Sequence, residues 1–139
     1  MITADQLVAH AVGDYVLQSD WMANEKTKKS VAALAHVLTY VLPFLFLTQS
    51  VPALAVIVST HFIIDRWRLA RYICWAKNFL APRFTLNTTT TGQLWWYPWA
   101  QCSGTGYAPD KPAWMAVWLM IITDNVLHVI INSLALRYL

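Results

Sequence analysis

Charge is what this sequence has least of. Only 12% of its 139 residues are Asp, Glu, Lys or Arg, against about 25% in soluble proteins. Cysteine is scarcer still. Cys74 and Cys102 stand alone, without the paired spacing of a zinc site or a disulfide framework, and take no role. No basic stretch precedes the first apolar run, where Asp5 stands instead, so no cleavable signal peptide is expected. No internal repeat is visible. The net charge of +3 comes from basic residues gathered where helices end rather than along a groove, and no nucleic-acid partner is expected.

What remains is apolar. Hydrophobic residues make up 58% of the chain and mean hydropathy is +0.42, more than the core of a single soluble domain needs. The expected class is an all-α integral membrane protein, one membrane domain over residues 1–139. It is a four-helix bundle with three clear transmembrane helices and an N-terminal helix that is amphipathic or spanning. Met1 to Ser19 reads as that first helix, with Gln6, His10, Asp14 and Gln18 as a polar stripe at four-residue spacing. Asp20 to Lys29 is a polar break. Ser30 to Thr48 is the first clear span, kinked at Pro43. After a tight turn at Gln49–Val51, a second runs from about Pro52 to Ile73, and a third from Ala113 to about Tyr138. Between them, Asn78 to Pro112 reads as an irregular cytoplasmic loop. It holds Thr88 to Thr91 and then Trp95, Trp96, Tyr97 and Trp99, whose rings suit a membrane interface.

The few polar residues within the apolar runs form a pattern. His61 and Asp65, His10 and Asp14, and Asp124 and His128 are each four residues apart, the spacing that puts two side chains on one helix face. His36 lies alone in another apolar run. Charge along the chain sets their depth. Nine of the ten Lys and Arg residues fall in Lys26–Lys29 and Arg66–Lys111. The positive-inside rule then makes both segments cytoplasmic and puts the C-terminus outside. His36 is about 9 Å from the cytoplasmic end of its helix at 1.5 Å per residue, and His61 and Asp124 come out at similar depth. The groups can meet.

Buried carboxylate in an apolar medium requires a partner or a cation. Imidazole and carboxylate together are a ligand set for zinc and other divalent ions. The metal-ligand candidates are His10, Asp14, His36, His61, Asp65, Asp124 and His128, enough for one or two ions, with Asp14 or Asp124 as a general base. Tyr40, Asn125, Asn132, Gln18 and Asp20 surround this set. Lys26, Arg66, Arg68 and Arg71 read as membrane-surface anchors.

The motif His10-x-x-x-Asp14-Tyr15-x-Leu17-Gln18-x-x-Trp21-Met22-Ala23-x-x-Lys26, with His36, His61-x-x-x-Asp65-Arg66 and Asp124-x-x-x-His128, resembles the domain of unknown function 3307 (DUF3307) family. Its members are small bacterial and phage membrane proteins without an established activity. The resemblance covers the chain except for Asn78–Pro112, which looks like an insertion. The same pattern is distantly similar to membrane-bound metal-dependent hydrolases related to zinc phospholipase C and P1 nuclease. That similarity implies hydrolysis of a phosphoester or lipid-linked substrate at the cytoplasmic face. Two other functions are compatible with the residues. One is a membrane protein that binds a partner, with the His/Asp cluster as structural glue. The other is a proton or ion pathway.

Overall fold

The computed structural model describes residues 2–80 and 98–139, and every regular element among them is helical. The helices are α1 (Ala4–Ala11), α2 (Asp20–Glu25), α3 (Ser30–Tyr40), α4 (Val51–Trp67), α5 (Ala70–Leu80), α6 (Trp99–Cys102) and α7 (Ala113–Tyr138). Thr88–Thr91 and the aromatic residues Trp95–Tyr97 lie outside the described residues. Of the stretch expected to be irregular, Asn78 to Leu80 belongs to α5 and Trp99 to Cys102 forms α6.

The expectation of three transmembrane helices is not met. Among the described residues only α7, at 26 residues, is long and apolar enough to cross a membrane. Of its most apolar stretch only 22% is buried, which separates it from the buried core helix of a soluble domain. The other two segments are cut short by the backbone. In the first, α3 stops at Tyr40 and passes into a 3₁₀ helix, Leu42–Phe46, because Pro43 offers no N–H to continue the α pattern. In the second, α4 ends after 17 residues, about 25 Å at 1.5 Å per residue and short of a ~30 Å hydrocarbon core. Arg68 takes a left-handed conformation there (φ 50°). The Leu69 N–H then reaches the Ile64 carbonyl and the Arg68 N–H the Asp65 carbonyl, the Schellman closure of a helix.

Helix starts follow side-chain capping. The Thr3 and Ser19 hydroxyls accept from the Gln6 and Met22 amides, and Ser50 with Pro52 opens α4. One departure from regular geometry bears on function. Residues Val12–Val16 form a π-helical turn that carries Asp14, a wider loop of chain often found where a side chain must be aimed.

The chain divides into two compact units. Residues 70–123 form one. In it Tyr72 stacks on Trp99 with ring centroids 4.6 Å apart, and the Arg71 guanidinium donates to the Ser103 carbonyl. Residues 1–69 and 124–139 form the other, and it holds every candidate ligand. Its polarity is inverted. Gln6, His10, Asp14, His36, His61, Asp65, His128 and Asn132 are buried, while Phe46 is 91%, Val51 75% and Val16 72% exposed. Beside the buried polar groups lies an apolar cluster of Ala9, Tyr40, Phe44, Ala53, Ile57 and Ala135.

Candidate metal centre

Three elements deliver four ligand atoms to one point. The π-helical turn supplies Asp14, α3 supplies His36, and successive turns of α4 supply His61 and Asp65. His36 Nε2 lies 3.0 Å from His61 Nε2, 3.1 Å from Asp65 Oδ2 and 3.2 Å from Asp14 Oδ1. His61 Nε2 is 3.1 Å from Asp65 Oδ2 and 3.8 Å from Asp14 Oδ1. Ligands about 2.0–2.1 Å from a tetrahedral ion lie roughly 3.3–3.4 Å from one another. The observed edges bracket that value. All four side chains are buried, the two imidazoles completely.

Hydrogen bonds among the four side chains themselves are incomplete, and the Lys26 ammonium supplies a further donor, to Asp65 Oδ2 and His36 Nε2. Four atoms that each carry a lone pair face inward, and an imidazole proton on Nε2 can serve only one or two of them. The Nδ1 atoms of both His36 and His61 are buried without a partner, and a metal on the Nε2 atoms would leave the ring protons on them. An excess of lone pairs around a small space favours a cation, and the Lys26 ammonium already stands against it. Asp14 shows the same field. Burial works against its ionisation, yet the His36 hydrogen bond and the Lys26 charge outweigh it and hold the carboxyl down at about 2.

A second group adjoins the first. Asp65, Asp124 and His128 also lie within reach of one ion. The His128 Nδ1 donates to the Asp124 carbonyl across one helical turn, at 2.8 Å, so its Nε2 carries a lone pair. That Nε2 is buried and unpartnered, 3.9 Å from Asp65 Oδ1. Asp124 is the most open of the three, with 22% of its side chain exposed.

His10 is placed differently. It lies outside both groups, in a chain of directed hydrogen bonds alongside them. Its Nε2 donates to Asn125 Oδ1 at 2.7 Å, which leaves Nδ1 to accept from the Tyr40 hydroxyl at 2.9 Å. Tyr40 in turn accepts from Asn132 Nδ2 at 2.6 Å, and Asn125 also receives the Tyr15 hydroxyl. Every lone pair and proton of His10 is thus committed without a metal. Tyr40 also stacks on the His61 ring, centroids 3.6 Å apart, and so fixes that ring's plane. Tyr40→Phe keeps the stack but strands His10 Nδ1 and the Asn132 amide. It is expected to lower unfolding free energy by about 1–3 kcal/mol, read by thermal or urea melts, while metal content stays unchanged.

Lys26 is the residue that spacing alone did not reveal. It was expected at the membrane surface, yet its Nζ donates to Asp65 Oδ2 at 2.8 Å and sits 3.8 Å from Asp14 Oδ1 and 3.3 Å from His36 Nε2. Burial works against its charge, but Asp65 and Asp14 prevail and hold the ammonium protonated above the usual lysine range. The one sequence signal was its place in the motif that runs from His10. Arg66, the other candidate anchor nearby, donates instead to the Thr27 carbonyl and Ser30 hydroxyl.

Comparison with known proteins supplies a family but no activity. The family model described as protein of unknown function (DUF3307) matches residues 2–97, more than two-thirds of the chain. The chain belongs to the DUF3307 family. The match takes in Asp14, Lys26, His36, His61 and Asp65, the whole four-ligand cluster with its lysine. It also runs through residues 78–97, part of the segment that read as an insertion, and stops before Asp124 and His128. No curated protein and no solved structure matches this DUF3307 chain.

Proposed function

We propose that this chain is a membrane-associated, metal-dependent hydrolase acting on a phosphoester or lipid-linked substrate at the cytoplasmic face of a bacterial inner membrane. The observation that carries the metal is the buried convergence of two imidazole nitrogens and two carboxylates, a zinc donor set in which the His36 and His61 Nε2 atoms lie 3.0–3.8 Å from each other and from both carboxylates. A divalent ion, zinc being the best match to the donor set, would lower the pKa of a water molecule and polarise a phosphoryl oxygen. Asp124 is the carboxylate left closest to solvent, and its role is to accept the proton of the attacking water. Asp14 is held ionised as a ligand rather than as a base. The membrane assignment rests on α7 and on the apolar exterior of the unit that holds the site. Basic residues on the site's side of the chain, Lys28, Lys29, Arg66 and Arg68, favour the cytoplasmic face, with the C-terminus outside.

A second reading has an observation of its own. Four protein ligands around one ion is the arrangement of structural zinc sites, whereas catalytic ones keep a position open. Under that reading the ion staples α3 and α4 to the π-helical turn, and the chain works by binding a partner. One experiment separates the two. The zinc-loaded chain is assayed against a phosphodiester and a phospholipid, with and without a chelator, beside Asp124→Asn. The hydrolase reading expects turnover that the chelator abolishes and that Asp124→Asn lowers by about 10²–10⁴-fold with zinc still bound. Stoichiometric zinc without turnover, and a melting temperature that falls on chelation, selects the structural reading.

A further inference from the structure

Lys26 stands where four ligands and an ion leave no need for it. Its Nζ approaches Asp65 Oδ2, His36 Nε2 and Asp14 Oδ1 at 2.8, 3.3 and 3.8 Å, and those three atoms form one face of the tetrahedron described above. We propose that Lys26 is a tethered cation that holds the site in the metal-free chain and is displaced when a divalent ion binds, so that it sets which ions the site accepts. The proposal rests on the metal reading of the cluster and goes beyond it. An ion at the centre of the tetrahedron would lie roughly 3–4 Å from Nζ, given ligand distances of about 2.0–2.1 Å. Two cations that close, with no water between them, repel strongly. The lone pairs that hold the ammonium are also the ones a metal takes, so the lysine loses its partners as the ion gains them.

The surroundings allow the exchange. Lysine carries its charge on a flexible four-carbon stem. Lys26 sits at the end of the six-residue α2, and 16% of its side chain is exposed, so it has a route to solvent. The device discriminates by charge. A monovalent ion offers Asp14 and Asp65 no more charge than the ammonium already in place, and it must also be stripped of water. A divalent ion doubles the charge and can drive the lysine out. Until then the ammonium keeps two buried carboxylates paired.

The test is zinc titration of the full 139-residue chain in mild detergent, wild type beside Lys26→Met and Lys26→Gln, with melting temperatures taken before and after loading. Both variants remove the charge, and the second keeps a hydrogen-bond donor. Each is expected to bind Zn²⁺ at least tenfold more tightly than wild type, to melt lower without metal, and to gain more from zinc. Binding by the variants alone also supports the proposal. Affinity unchanged or weakened in both variants overturns it while leaving the metal site intact. No zinc on any of the three chains overturns proposal and metal reading together. If the variants fold only when zinc is added, the ammonium is confirmed as the metal's stand-in; if zinc restores neither, the proposal falls.

Discussion

Asp65→Ala is expected to strip the chain of metal and to destabilise it by about 3–5 kcal/mol, the cost of leaving a buried charge without its partner. Asp65 belongs to both ligand groups. Its Oδ2 meets His36, His61 and Lys26 at 3.1, 3.1 and 2.8 Å, and its Oδ1 faces the unpartnered His128 Nε2. Removing the carboxylate leaves the Lys26 ammonium with Asp14 as its nearest counter-charge, 3.8 Å away. Elemental analysis reads the metal, and a urea melt reads the stability. Asp65→Asn, which keeps the shape and loses the charge, should show the same loss of metal. A variant that retains full metal content would place the ion elsewhere.

Gly13→Ala is expected to damage the site without touching a ligand. A Cβ on Gly13 would lie 2.7 Å from both the Tyr40 ring and the Tyr40 carbonyl oxygen, closer than side-chain carbons sit in folded proteins. The ring cannot yield cheaply, because it stacks on His61 and holds His10 and Asn132 by its hydroxyl. The carbonyl belongs to the last residue of α3 and cannot yield either. The π-helical turn must therefore back away, and it carries Asp14. We expect about 1–3 kcal/mol of destabilisation together with at least a tenfold loss of zinc affinity, read by thermal melts and calorimetric titration. Unchanged affinity would mean that Asp14 is not a ligand.

The site was more legible in the sequence than the frame around it. His61 and Asp65 are on one face of a regular helix, so four-residue spacing found them, but the depth in a three-span bundle that placed His36 level with them does not survive the loss of those spans. The same rule misplaced His10, since nothing in the spacing tells that Tyr40 and Asn125 will take both of its nitrogens. Lys26 went unread because a lysine beside other lysines looks like a surface anchor. The helix lengths failed for local reasons. An arginine at φ 50° ends α4 where a glycine would have been the expected stop signal. The run after Tyr40 is as apolar as a span but winds as a 3₁₀ helix. The π-helical turn at Val12–Val16 leaves no mark in residue type at all, although it aims Asp14.

Asp14, His36, His61 and Asp65 are the four side chains proposed to hold a divalent ion. Metal content per chain, measured by elemental analysis on protein purified in mild detergent without chelators and again after adding zinc, tests that proposal most directly. At least about one ion per chain is expected in the wild type, the number one tetrahedral site takes, with loss of it in His61→Ala. A folded wild-type chain that carries no stoichiometric metal and takes up none would contradict it.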